Sequence, residues 1–247
     1  MTRRLTGPAL CVPVAVALAM LGGPSAAAAT AQLRLTFDTA PSGQNEAGPW
    51  TTGCFTDAVA PADDACVVVG GAGAVTREQR PSGTTTSPAV KFPASGAGTA
   101  MLRVEHASRL NPGTADFTVS TMVKVATGEV SPGANLVQKG TFNTAGGQWK
   151  LQLDNGVPSC RIAGTSGLSV IVSWGSSIAG TGWKFVECKR RGTVLSINVA
   201  NGTPVNAAAD ASMDITNTSD VTIGAKGTGS NNDQFHGEID NVVLSVG

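Results

Sequence analysis

Hydrophobic and polar positions alternate along this chain in short runs, and the runs are separated by Gly, Ser, Thr, Asn and Pro. LRLTF (33–37), AVKF (89–92) and AMLRVE (100–105) come first. FTVSTMVKV (117–125) follows, with Phe117, Val119, Val123 and Val125 on one face. WKLQLD (149–154), SCRIA (159–163) and LSVIVSW (168–174) keep the same period of two. WKFVECKRRGTVLSINVANG (183–202) reads as a hairpin turning at Arg191-Gly192, its return strand alternating Leu195, Ile197 and Val199. VTIGA (221–225) and the closing run FHGEIDNVVLSVG (235–247) complete the set. Such alternation marks strands with one buried face, and no segment carries an apolar stripe of helical period. Many short strands with regular turn signals predict an all-β sandwich or barrel with almost no helix. In the last run Ile239 shares parity with Phe235, whereas Val242, Leu244 and Val246 share the other parity. That switch at Asp240-Asn241 predicts a bulge, or a strand buried on both faces.

Between residues 39 and 88 the alternation weakens into PSGQNEAGP, APADDA, GGAGA and RPSGTTTSP. We read this stretch as long loops wrapped over the sandwich rather than a second domain. A strand near residue 35 and another near 240 are expected to pair and close the fold.

The N-terminus removes itself from the folding argument. MTRR is a short positive region, ALCVPVAVALAMLGG is an apolar stretch too short to span a bilayer, and Ala29-Thr30-Ala31 offers a small-residue cleavage site before Gln32. Residues 1–31 are therefore expected to be a secretory signal peptide, leaving a single domain, 32–247, that is secreted, extracellular and without a membrane span. Arg3-Arg4 lacks the residues that twin-arginine export needs after it, and Cys11 lacks a lipoprotein context. The chain has 17 basic and 17 acidic residues, and loss of Arg3 and Arg4 leaves 15 basic against those 17. Nucleic acid and anionic membranes need concentrated positive charge, so neither is an expected partner. The one basic run, Lys189-Arg190-Arg191, precedes Gly192 and is expected to be a solvated hairpin tip.

Four cysteines follow the leader: Cys54, Cys66, Cys160 and Cys188. In an exported chain an even count argues for disulfides, and three pairings satisfy four cysteines. Zinc needs close C-x-x-C spacing, which is missing. Local pairing, Cys54–Cys66 and Cys160–Cys188, is the economical choice.

Four stretches in order resemble one family. DFTVSTMVKV, LVQKGTFNTAGGQWKLQLDNG, WKFVECKRRGTVLSINVANGTP and QFHGEIDNVVLSV, together within residues 116–246, resemble the strands of bacterial LamG-type domains of the concanavalin A-like lectin/glucanase superfamily. LRLTFD (33–38) matches the usual first strand. The resemblance implies a two-sheet antiparallel jelly-roll sandwich, but the superfamily includes lectins, glycosidases, lyases and adhesion modules, so it leaves function open. Met122 stands where the family usually has Trp, Asn241 replaces the second Asp of its closing I-D-D, and the chain has no Tyr for sugar stacking.

Glu238-Ile239-Asp240 also resembles the start of the catalytic E-x-D-x-x-E strand of jelly-roll β-glucanases. Two carboxyl groups about 5–5.5 Å apart are needed for retaining hydrolysis. Here the acid/base position is Val243, and slipping by one residue gives Leu244. The second carboxylate is missing, so no catalytic residue is assigned. No G-x-S-x-G elbow or H-E-x-x-H pair is present either, and the chain has only His106 and His236.

The resemblance further implies a structural calcium where the first and last strands meet, with Asp38 and Asp240 as its oxygen ligands. For carbohydrate, Trp174 beside the loop WGSSIAGTG is the candidate stacking platform, and Asn231, Asn232 and Asp233 in SNNDQ (230–234) are the candidate polar contacts. Trp149 and Trp183 are expected in the core. The expected function is a secreted, non-catalytic module binding an extracellular glycan or protein. The alternatives are a polysaccharide-active enzyme, with Glu105 or Glu187 as carboxylates to test, and a structural envelope protein.

Overall fold

The computed structural model describes residues 29–247, so the leader predicted over 1–31 falls, apart from its last three residues, outside the described residues. Sixteen strands follow in order: β1 (Thr30–Leu35), β2 (Cys54–Phe55), β3 (Ala65–Gly70), β4 (Thr76–Ser82), β5 (Thr85–Lys91), β6 (Thr99–Val104), β7 (Phe117–Val125) and β8 (Ala134–Lys139), then β9 (Gln148–Asp154), β10 (Val157–Ala163), β11 (Ser169–Ser173), β12 (Lys184–Arg191), β13 (Val194–Val199), β14 (Val205–Asn206), β15 (Val221–Ile223) and β16 (Gly237–Val246). Among the described residues helix is confined to two short 3-10 turns, at Ser108–Leu110 and Thr127–Glu129.

The strands form two antiparallel sheets. The first runs β14-β13-β12-β7-β16-β5-β4, with β1 also pairing to β16; the second runs β11-β10-β9-β8-β15-β6-β3-β2. Alternate residues of each strand point between the sheets, which is why a period of two in sequence becomes one continuous core. On β7, Phe117, Val119, Val123 and Val125 are all buried, and on β13 so are Leu195, Ile197 and Val199. They meet Leu136, Trp149, Leu151 and Ile162 of the second sheet in the same apolar cluster.

β16 closes the sandwich by pairing with β7 along one edge, and with β5 and then β1 along the other. The parity switch is a bulge: the β16–β7 register shifts between Asp240 and Val243, and Asn241 takes φ +52°. Asparagine tolerates this left-handed conformation better than most residues. Before the bulge Ile239 is buried, and after it Val242 and Leu244 are.

Both disulfides have the expected partners, Cys54 with Cys66 and Cys160 with Cys188. Their roles differ. Cys54 and Cys66 are register partners within the second sheet, whereas Cys160 on β10 reaches Cys188 on β12 and joins the two sheets.

Two expectations fail. Residues 39–88 are not merely wrapped loops, because β2, β3 and β4 and the start of β5 lie there and extend both sheets. β4 and the start of β5 are polar and half-exposed or exposed, paired to each other through the backbone, so alternation could not show them. Nor is Lys189-Arg190-Arg191 a solvated tip. Strand alternation turns Arg190 inward, fully buried opposite Leu195. Its guanidinium lies 5.2 Å from the Phe117 ring and donates to the carbonyls of Gly113, Ala115 and Met213. Burial alone pushes its pKa below the ordinary arginine value.

Candidate functional site

A polar groove of about 330 Å³ lies on the outer face of the second sheet, at the lower end of the range for small-ligand sites. Register builds its floor. Gln138 on β8 sits opposite Lys150 on β9, and Lys150 opposite Arg161 on β10, so side chains from three adjacent strands form one row. Their neighbours along each strand point into the core, which leaves these polar groups on the outer face.

The segment between β15 and β16 folds over this row. Gln234 anchors it: the side-chain amide accepts from Ala100 N at 2.9 Å and donates to Ala100 O at 3.0 Å, Gly224 O at 3.1 Å and Phe235 O at 2.9 Å. Asp233, at φ +53°, is thereby held against the sheet, and its carbonyl accepts from Asn135 N at 2.8 Å. Its carboxylate bridges Lys150 at 2.8 Å and Lys226 at 2.9 Å. Burial by itself would raise the Asp233 carboxyl, but the hydrogen bonds and charges of the two lysines outweigh it and hold it below the ordinary aspartate value. Burial also pulls Lys150 below the ordinary lysine value, with Asp233 opposing.

At the other end, the turn between β8 and β9 carries Phe142, 65% exposed, and the Arg161 guanidinium lies 4.5 Å from its ring. Gly140 begins this turn at φ +78°, where a Cβ would fall 2.6 Å from Gly147 O, so glycine is required. The Gly140 carbonyl receives the side-chain amides of Gln138 and Gln148, both at 3.1 Å. Gln138 is 3% exposed, and its Oε1 has no partner among the described residues. A buried acceptor left unpaired costs about 1–3 kcal/mol, and Gln138 carries that cost beneath the floor of the groove.

A larger concavity of about 520 Å³ lies at the end of the first sheet. Its charges are already matched: Lys124 pairs with Glu238 at 2.8 Å, Lys91 flanks the same carboxylate at 4.0 Å, and His236 Nδ1 is bound to Pro93 O. We therefore place the candidate site in the polar groove.

Of the residues expected from sequence, Asp233 lines this groove. Asn231 and Asn232 line an adjoining shallow cleft with Asp233 and His236. Trp174 lines neither; it is half-buried against the rim of the core beside Gly202. Trp149 is buried as expected, but Trp183 precedes β12 and is only half-buried, with Lys124 over its ring at 6.0 Å. Asp38 is exposed, whereas Asp240 is fully buried. The Asp240 carboxylate accepts from Arg80 Nε at 2.6 Å, Ser87 Oγ at 3.2 Å and Asn241 N at 2.7 Å. A guanidinium thus occupies the place a cation would need, and the residues present do not fit calcium at Asp240. Among the described residues no cluster of three or more His, Cys, Asp or Glu has metal-binding placement. Sequence reading missed Gln138, Phe142, Lys150, Arg161 and Lys226, whose only signal was a polar residue at the outward position of an alternating strand or in a turn.

With fold and groove described, comparison with known proteins places them. Residues 131–246 match the laminin G domain family. The sandwich is a laminin G-like jelly roll. Among solved structures it is similar to the binding domain of botulinum neurotoxin DC in complex with SialylT, at 14% identity and a TM-score of 0.55, over 87% of this chain and 47% of that one. The botulinum neurotoxin serotype G binding domain is similar at 12% identity and a TM-score of 0.57, over 87% and 47%. The binding domain of Paraclostridial Mosquitocidal Protein 1 gives 14% and 0.57, over 87% and 48%. The chain spans about half the length of these structures, and at such identities the likeness is one of fold. No curated protein matches by sequence. The laminin G match begins near β8, so it includes the groove's sheet strands but not the β4–β5 hairpin.

Proposed function

We propose that this laminin G-like domain is an extracellular, non-catalytic module that binds carbohydrate in the groove over β8, β9 and β10. The observation that carries the reading is a groove lined by the amides of Asn143, Gln148 and Gln152, whose rim presents an exposed aromatic ring, Phe142, against the Arg161 guanidinium. Carbohydrate recognition uses this combination: a flat apolar face beneath a sugar ring, with convergent donors and acceptors for its hydroxyls. Two disulfides support an oxidising compartment, as does the leader expected from sequence. The neurotoxin domains of similar fold are titled binding domains, which agrees with a binding role.

The chemistry of the groove supports binding without hydrolysis. Hydrolysis by a carboxyl pair needs two such groups flanking the bond. Asp233 is the one carboxylate among the groove's lining residues, and both its oxygens hold lysines. Glu105 lies beyond the end of β6, and Glu187 is on β12 of the other sheet; neither lines the groove. Asp240 is engaged by Arg80 in the other sheet as well.

The test is a glycan array with the purified, oxidised protein, in calcium and again in EDTA. Binding that persists in EDTA is expected, because the groove uses fixed amides and cations rather than a metal. Silence under both conditions overturns the carbohydrate reading in favour of a protein-binding or structural role.

A further inference from the structure

The charges of the groove do not cancel. Lys150, Arg161 and Lys226 line it against the single carboxylate of Asp233, although the chain as a whole balances 17 basic against 17 acidic residues. Asp233 is engaged on both oxygens by the two lysines. Arg161 has no acidic partner and makes no side-chain hydrogen bond among the described residues; its guanidinium lies over the Phe142 ring, and Lys150 is its register partner on β9. Stacking holds the guanidinium plane while leaving its edge donors free, and that planar fork matches carboxylate and sulfate geometry.

We infer that the groove selects an anionic glycan, with Arg161 receiving a carboxylate or sulfate on the sugar chain. The inference rests on the carbohydrate reading above and adds the ligand's charge. An acidic peptide is the less suitable occupant. β8, β9 and β10 are interior strands whose backbone groups are already paired, so an extended peptide finds no open edge there. The remaining lining amides, Asn143, Gln148 and Gln152, are neutral groups suited to hydroxyls.

The experiment is calorimetric titration of the purified, oxidised protein with polygalacturonate, dextran sulfate, unmodified dextran and poly-glutamate. One or both anionic polysaccharides should bind, dextran should not, and affinity should fall between low and high salt as the exposed charges are screened. The two anionic probes separate a carboxylate from a sulfate as the preferred group. Arg161→Gln should weaken binding about tenfold or more, and Arg161→Lys should recover only part of it, since charge returns without the fork. Because Arg161 supports no other side chain, the variant should keep the wild-type circular dichroism and melting temperature. Binding of dextran equal to that of dextran sulfate overturns the charge selection while leaving the carbohydrate reading in place. Binding of poly-glutamate with none to any polysaccharide overturns both. Wild-type affinity in a folded Arg161→Gln variant overturns the assignment of Arg161.

Discussion

The outer faces of the two sheets are built by the same alternation and carry opposite electrostatic plans. On the first sheet each buried acid has its own cation: Arg80 for Asp240, and Lys124 with Lys91 for Glu238. On the second, two lysines share one carboxylate, and the third cation, the Arg161 guanidinium, lies over an aromatic ring without an acidic partner. The first arrangement is closed, with both buried acids answered by cations from within the protein. The second leaves positive charge unanswered at Arg161, and a ligand can supply the anion. Partial burial of ionisable groups is thus not by itself a mark of function; an unmatched remainder is the better guide.

The sharpest way to break the contrast is to unbalance the closed face. Arg80→Ala leaves Asp240, already raised above the ordinary aspartate value mainly by burial, without its cation. Removing one partner of a buried pair should cost about 3 kcal/mol in urea unfolding. Arg80→Ala together with Asp240→Asn should recover part of that loss. A loss for Arg80→Ala as small as for a surface substitution would show that the first face is not closed in this sense.

Asp233→Asn makes the corresponding change on the open face. It strands the buried Lys150 and should cost about 1–3 kcal/mol, since a buried charged donor loses its partner. The sign with pH follows from the depressed carboxyl. The wild-type contribution should be complete above the ordinary aspartate range near pH 4 and fade as pH drops through the lowered value. Asp233→Asn should therefore lose most of its stability deficit in strong acid.

A smaller effect comes from a lysine outside both faces. Lys139 is fully buried with its amine on Ser219 O and, at 2.9 Å, on His106 Nδ1. Burial lowers it to about 8, with Asp220 opposing. The unfolded chain then binds more protons between about pH 8 and the ordinary lysine value near 10.4, so stability should rise with pH across that window. The chain has no tyrosine and its four cysteines beyond the leader are bridged, so neither phenol nor thiol obscures the slope. Lys139→Met should flatten it in chemical denaturation series.

Least affected in stability should be Phe142→Ala, at an exposed turn, with a change within about 0.5 kcal/mol. Its glycan affinity should nevertheless fall, because the ring both stacks and orients Arg161. A folded Phe142→Ala variant with unchanged binding would remove the aromatic rim from the site.

The sandwich itself was readable because burying one face of a strand forces a period of two, and β7, β13 and the β16 bulge all show it directly. β4 and the start of β5 were not readable, since backbone pairing joins two polar runs and leaves no mark on side-chain type. Arg190 misled for a related reason: a basic run signals solvent, yet alternation still turns one of its members inward once aromatic stacking and backbone carbonyls receive it. Trp174, which ends a strand beside a loop-rich stretch, packs at the rim of the core and lies outside the groove.

By itself the sequence determined the strand pattern, the four cysteines that two disulfides need and the lack of a second carboxylate in the glucanase-like strand, because each depends on residue type and local spacing. Only the tertiary structure decided which polar side chains meet. Gln138, Lys150 and Arg161 become neighbours through register across β8, β9 and β10, and Lys226 and Asp233 join them because Gln234 anchors a distant loop to the backbone at Ala100. Register and loop docking are long-range consequences of burying both sheets at once, and no local pattern encodes them.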